Sequence, residues 1–261
     1  MYSYSLHVRR EQKRSTHSHL TDHPVFRFQL IEAFGGAPPD AQLGDLEKTV
    51  VVCRDEQGFA MVTRGFTGRG SIGDQSKRIP PGQHLVDNFP VLSAGPTPSV
   101  ELSDWKFTVK IGPKPTKVWN WTEFNALPKT KVTRDIHCVT SWSKLDTVWE
   151  GVLIDDILAD AGLDRPTEFV LAHSYDNYST NVPLADLLSG KAMVALNYDG
   201  KPLARDHGGP ARLLVPHLYF WKSAKWVNGL QFTRRDEPGF WEGHGYHIYG
   251  DPWREQRYTN D

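Results

Sequence analysis

The sequence predicts an α+β fold on a mixed sheet with irregular connections, and three observations predict it. Runs of strand character outnumber helical runs from residue 101 onward. The connections between them are irregular, unlike the strict alternation of a doubly wound sheet. No glycine-rich phosphate loop of the dinucleotide or P-loop kind is present, and no internal repeat.

The elements follow in order. Residues 1–24 hold four of the eleven histidines, little apolar content and no periodicity, so they read as a disordered tail. Apolar runs follow at residues 26–31 and 49–52, separated by Gly35-Gly36-Ala37-Pro38-Pro39. Residues 64–100 are rich in Gly and Pro, which excludes a long helix. The segment is either a flexible linker or an extended arm on a folded body. Leu85, Val86, Phe89, Val91 and Leu92 offer apolar anchors and favour the arm.

Trp105 to Ile111 alternates and predicts a strand. Thr122 to Leu127 predicts a short helix capped by its threonine and stopped before Pro128. Lys131 to Thr140 reads as a strand, and Ile154 to Ala161 as an amphipathic helix stopped by Gly162. Glu168 to His173 is a strand, Pro183 to Leu188 a helix with proline in its first turn, and Ala192 to Tyr198 a strand turning at Asp199-Gly200. Ala211 to Val215 and Trp226 to Phe232 are further strands.

Composition bounds the function. The 261 residues carry a net charge of -1, so no global field or basic stripe points to nucleic acid. No apolar run approaches the ~20 residues of a membrane-spanning helix. Arg9-Arg10 lacks the apolar stretch an export signal needs, so a cytoplasmic location is expected. The two cysteines, Cys53 and Cys138, build no disulfide framework.

Three segments carry candidate chemistry. Cys138, in Ile136-His137-Cys138-Val139-Thr140, sits where a strand turns. It is a nucleophile, a soft metal ligand, or a small buried apolar residue. Arg205-Asp206-His207-Gly208-Gly209-Pro210-Ala211-Arg212 is a polar turn or a phosphate cradle of arginines around exposed backbone N–H groups. Tyr219-Phe220-Trp221-Lys222-Ser223-Ala224-Lys225-Trp226 is an amphipathic edge with snorkelling lysines, or an aromatic rim with a lysine aimed at an anion.

In order and spacing these segments resemble the molybdopterin-binding domain of the sulfite oxidase family. Trp149-Glu150-Gly151-Val152 and Tyr246-His247-Ile248-Tyr249-Gly250-Asp251-Pro252-Trp253 strengthen the likeness, which covers about residues 64–258 and points to its single-domain bacterial branch. The resemblance implies a molybdenum–molybdopterin cofactor (Mo-MPT), with Cys138 as the protein thiolate on the metal. It implies that Asp87, Phe89 and Pro90 lie on an arm over the pterin. His207, Arg212, Ser223, Ala224 and Lys225 match positions that hold the pterin and its phosphate, and Ser174 matches a hydroxyl near the cofactor. Tyr178 matches the family's active-site tyrosine; alternatively it packs as a strand aromatic.

Arg134, His137 and Lys144 are candidate positive charges for an anionic substrate. Strand alternation puts Arg134, Ile136 and Cys138 on one face, which favours Arg134. The arginines that follow the cysteine in animal sulfite oxidases are absent here; the stretch reads Thr140-Ser141-Trp142-Ser143-Lys144.

No haem-binding motif is found in the front segment, and about 29 residues follow Phe232, too few for an immunoglobulin-like dimerisation domain. A separate electron-transfer partner is therefore expected. Residues 1–60 are expected to be an extension outside the resemblance, residues 61–261 the oxidoreductase domain, and Met61 the natural start. The function implied is oxygen-atom and two-electron transfer to or from a small oxyanion or oxide, sulfite or an S- or N-oxide. The alternative from another class is a non-catalytic molybdopterin-binding module.

Overall fold

The computed structural model describes residues 74–112 and 114–261, together with the backbone of two strands at Val50–Arg54 and Ala60–Arg64. The tail expected at 1–24, the apolar run at 26–31 and the start of the arm at 65–73 lie outside the described residues.

In chain order the strands are β1 (Val50–Arg54), β2 (Ala60–Arg64), β3 (His84–Leu85), β4 (Val91–Ser93), β5 (Lys106–Ile111), β6 (Lys114–Asn120) and β7 (Thr130–His137). They continue as β8 (Trp142–Leu153), β9 (Phe169–Ser174), β10 (Ser179–Pro183), β11 (Met193–Tyr198), β12 (Lys201–Pro202), β13 (Arg212–Leu214) and β14 (Val227–Thr233). The helices are short: α1 (Trp121–Asn125), α2 (Ile154–Asp160) and α3 (Phe240–Gly243).

The architecture is the expected α+β type. One sheet has the order β10-β9-β14-β5-β6, with β14 antiparallel to β9 and parallel to β5. A second runs β12-β11-β8-β3, with β13 paired to β11 and β7 to β8. Here too a parallel pair, β3 with β8, sits among antiparallel ones. After β14 the described chain holds α3 and irregular turns, and no immunoglobulin-like sandwich.

The apolar residues segregate accordingly. Trp105, Phe107, Trp119 and Phe124 pack with Val170, Leu213 and Leu230 around the first sheet. Ile136, Trp142, Trp149, Leu214 and Phe220 pack with Cys138 around the second. Gly151 is required where β8 meets β11: a Cβ there would collide with the Val194 carbonyl and the Ala195 Cα.

From residue 74 onward the Gly/Pro segment is an ordered arm. Its β3 pairs with Trp142 and Ser143 of β8. Arg78 forks onto Asp135 and Asp146, and Arg205 donates to the carbonyls of Thr97 and Pro98. β4 pairs with β2, and β2 pairs with β1, so the boundary expected at 60/61 falls within a strand hairpin.

Three local expectations are corrected. The cap of α1 is Asn120, whose side chain accepts from the Glu123 N–H while Glu123 returns the bond to the Asn120 N–H. This reciprocal capping box outcompetes Thr122, now inside the helix. The helix expected over 183–188 is the end of β10 followed by a single 3₁₀ turn at Leu184–Asp186. Because β10 is an edge strand, Pro183 costs it no ladder bond. The alternation of β7 breaks at a bulge between Arg134 and Ile136. Asp135 is held there by Arg78 and by the N–H of Asp146. Ile136 and His137 are therefore both buried, and Arg134 is exposed.

Candidate functional site

Cys138 closes the turn between β7 and β8. Its N–H donates to the Trp142 carbonyl at 2.8 Å, and its own carbonyl accepts from the Ser141 N–H at 3.0 Å. Ser141 takes a left-handed conformation, φ 70°, to make the turn. Gln83 of the arm donates to the same carbonyl at 3.1 Å. The thiol is 7% exposed, and Thr140 Oγ1 donates to Sγ at 3.2 Å. Burial pushes the thiol pKa up; the Thr140 bond and the positive charges of Arg257 and Lys225 pull it back.

The thiol faces a cleft of about 110 Å³. Of the sequence-derived site residues, Phe89, Pro90, Cys138, Tyr178, Arg212, Ser223, Ala224 and Lys225 line it. The arm supplies one wall through Phe89 and Pro90, and β13 and the segment before β14 supply the floor.

Arg212 is 1% exposed. Its guanidinium donates to the carbonyls of His207 at 2.8 Å and Ser223 at 2.7 Å and lies 4.1 Å over the Phe220 ring. Backbone oxygens and ring faces hold it; burial lowers its pKa to about 9, so it stays charged at neutral pH. Lys225 donates to the Asp206 carbonyl at 2.6 Å and to Ser93 Oγ at 3.1 Å. Desolvation, then the charge of Arg212, lowers its pKa to about 7. The Ser223 hydroxyl accepts from the Val215 N–H, which fixes the strand beside Arg212.

His207 stands directly behind the cleft. It stacks on Phe89 at 4.0 Å with the planes 14° apart, and its buried Nδ1 has no hydrogen-bond partner. Burial and the charges of Arg212 and Lys225 lower its pKa to about 4, so the imidazole is neutral at pH 7. Gly208 follows at φ 105°, and a Cβ there would press on Lys225 and Arg212. Tyr178 donates from its hydroxyl to the Trp221 carbonyl at 2.7 Å. Burial, then the negative charge of Glu242, holds the phenol protonated far above neutrality.

Other candidates lie elsewhere. Asp87 is exposed, and only its carbonyl is engaged, by Lys144 Nζ at 2.5 Å. Neither side chain lines the cleft. Arg134 points away past the bulge and donates to the carbonyl of Thr133. Ser174 is buried with a partnerless hydroxyl outside the lining. His137 hydrogen-bonds Ser143 at 2.8 Å, and burial lowers its pKa to about 4, so it offers no positive charge at pH 7. Lys222 is no snorkelling edge residue. It is fully buried and pairs with Glu242 at 2.6 Å.

Sequence reasoning missed Asp176, Trp241 and Tyr246, which also line the cleft. It missed Arg257, which donates to the Val139 carbonyl and braces the cysteine turn. Their signal was faint: Tyr246 sits in a motif read only as a whole, and Asp176 sits two residues before Tyr178.

The protein-family model described as the oxidoreductase molybdopterin binding domain matches residues 94–241. The uncharacterised oxidoreductase YuiH of Bacillus subtilis is 43% identical over 197 residues, 75% of this chain and 100% of that protein. An Azospira oryzae protein described as a candidate protein-methionine-sulfoxide reductase subunit is 33% identical over 51% of this chain and 50% of its own. The mitochondrial sulfite oxidase of Drosophila melanogaster is 26% identical over 84% of this chain and 43% of its own.

Proposed function

The chain belongs to the oxidoreductase molybdopterin-binding domain family, of the sulfite oxidase type, and on that premise we propose that it uses molybdenum–molybdopterin to move an oxygen atom and two electrons to or from a small substrate. The observation that carries the reading is the convergence of Cys138 with Arg212, Ser223 and Lys225 on one cleft under the arm residues Phe89 and Pro90. A thiol packed into hydrocarbon far from these cations would have removed its basis.

The side chains fit such a group. The buried guanidinium of Arg212, held by carbonyls and ring faces, suits a phosphate. The partnerless buried Nδ1 of His207 suits a polar edge of the pterin. Cys138 offers the soft sulfur that the metal favours, and Lys225 a second charge for the phosphate. When bound, the cofactor supplies the two-electron couple and exchanges the oxygen atom.

The chain's own residues do the rest. Thr140 and the Cys138–Trp142 turn fix the direction of Sγ. The protonated phenol of Tyr178 donates to the Trp221 carbonyl and holds that wall of the cleft in place. Phe89, Trp142 and Phe220 keep water from the floor. Electrons pass to or from a separate carrier protein. Among the described residues no helix is long and apolar enough to cross a membrane.

Purified protein should contain about one molybdenum and one pterin per chain by elemental analysis and pterin fluorescence, as one site per domain requires. Correctly folded protein from a cofactor-competent host with neither would sink the reading in favour of a module without the group.

A further inference from the structure

Arg257 is a cation beside the cysteine turn that the proposed function leaves without a task. Its Nη1 donates to the Val139 carbonyl at 2.6 Å, one peptide beyond Cys138, and reaches Ser141 Oγ at 3.4 Å. The guanidinium lies 5.2 Å over the ring of Tyr219, which is fully buried. It does not line the cleft, so it acts through the turn.

The fold brings this side chain to the turn from far along the chain and fixes it there. The Arg257 carbonyl accepts from the His247 N–H at 3.1 Å, and its N–H donates to Asp261 at 2.9 Å. A bridge between Tyr246 and Tyr258 closes the same loop. Gln256, next to it, is buried and accepts from the Asp251 N–H at 3.1 Å. From the arm, Gly82 turns at φ 68°, and a Cβ there would lie 3.1 Å from Arg257 Nη2 and 2.9 Å from Glu255 Oε1. Gln83 then donates to the Cys138 carbonyl at 3.1 Å. Two successive carbonyls, those of Cys138 and Val139, are thus tied from outside the turn, one by the arm and one by Arg257.

The cations near Cys138 differ in what is left to them. Arg212 and Lys225 lie where the proposed function places the cofactor's phosphate, whose charge would match theirs. Arg257 faces carbonyl and hydroxyl oxygens and a ring. Glu255, the carboxylate that pairs with it, stands 3.9 Å away and is 51% exposed, so solvent screens it. A positive charge fixed this near the turn favours the reduced, more negative state of a metal bound there.

We propose that Arg257 is a positioning residue for the metal on Cys138: it braces the turn through Val139 and Ser141, and its charge raises the reduction potential of the bound metal. The proposal rests on the function proposed above and adds to it a residue that acts through the cysteine turn.

The test compares wild-type protein with Arg257→Gln and Arg257→Lys. In cofactor-free protein, hydrogen exchange is followed at the turn, where the N–H groups of Cys138 and Ser141 are both bonded. Arg257→Gln should speed that exchange about tenfold, the worth of one charged hydrogen bond, and Arg257→Lys much less. Molybdenum-loaded protein is titrated potentiometrically, with electron paramagnetic resonance of the metal as the readout. At a fixed potential the ratio of oxidised to reduced metal should rise about tenfold in Arg257→Gln, the scale of a unit charge several ångströms away inside a protein. Arg257→Lys keeps the charge and a donor and should restore most of that shift. A folded Arg257→Gln that loads less than about a tenth of the wild-type molybdenum, beside a fully loaded Arg257→Lys, supports the same role, since loss of a group behind a metal ligand costs on that scale. Loaded Arg257→Gln with the wild-type potential, Arg257→Lys no better than Arg257→Gln, or unchanged exchange at the turn overturns the proposal and leaves the metal assignment standing. Folded wild-type protein without molybdenum overturns both.

Discussion

At Cys138, burial and charge oppose each other. Hydrocarbon on one side pushes the thiol toward its neutral form, while Thr140, Arg257 and Lys225 favour the thiolate. A serine keeps the shape and the Thr140 bond but lacks the soft sulfur. Cys138→Ser is therefore expected to abolish turnover and lower molybdenum content, with the melting temperature moving no more than about 4 °C, the size of a change of about 1 kcal/mol. Circular dichroism and metal analysis on the same sample check it; an active, metal-loaded variant would contradict the role of the sulfur.

Lys225 makes a different prediction. Its pKa in the fold is about 7, below the 10.5 of a free lysine. Between these values the unfolded chain holds a proton that the folded chain has released, so its term raises stability as pH climbs from about 7 toward 10. Urea denaturation of cofactor-free protein across that range should show this slope, and Lys225→Met should flatten it. An unchanged slope in the variant would mean that the lysine is not desolvated as its surroundings require.

Among the elements, the junction of β10, α3 and the turn before Ser223 is tied by one buried carboxylate. Glu242 Oε1 accepts from Thr180 at 2.9 Å and from the Trp221 indole at 2.8 Å, and it pairs with Lys222. Glu242→Gln leaves the Lys222 ammonium buried without its counter-charge and should destabilise the fold by about 3–5 kcal/mol. Adding Lys222→Met should recover much of the loss; no recovery would place the cost in the lost hydrogen bonds instead. At the β8–β11 contact, Gly151→Ala must push two backbones apart, for about 3 kcal/mol by denaturation, the upper end for overpacking. An unperturbed melting curve would mean the sheet yields there freely.

The same junction marks where the sequence stopped being legible. The strand at 106–111 showed in local alternation because one face of it meets a core, whereas the strand at 193–198 is buried on both faces, Val194 and Leu196 in one core and Met193 and Ala195 in the other, and carries no such period. β10 did not show, since Thr180 and Asn181 are buried by partners far along the chain, Glu242 and Lys222. The bulge that turned Arg134 outward depends on Arg78 of the arm. Long-range polar contacts of this kind leave no periodic trace, whereas Cys138, Arg212 and Lys225 were readable because ordered motifs carried them.

At the scale of the molecule, the second core and the arm meet around a cleft that concentrates unfavourable terms in the cofactor-free chain. Arg212 is buried among carbonyls and ring faces, His207 Nδ1 lacks a partner, and Lys225 sits desolvated near another cation. A phosphate-bearing pterin would relieve all three at once, and only in the folded state, since the groups come from Arg205–His207, β13 and the turn before β14. Binding to the fold alone stabilises it by mass action, about 4 kcal/mol when the ligand stands at a thousand times its dissociation constant. At about 2–4 °C per kcal/mol for a domain of this size, loaded protein should melt about 10 °C above protein from a pterin-deficient host. Differential scanning calorimetry on the two preparations measures the gap. Because the relief comes chiefly through Arg212 and Lys225, Lys225→Met should shrink it, and coincident melting of loaded and unloaded wild-type protein would mean these groups do not meet the cofactor.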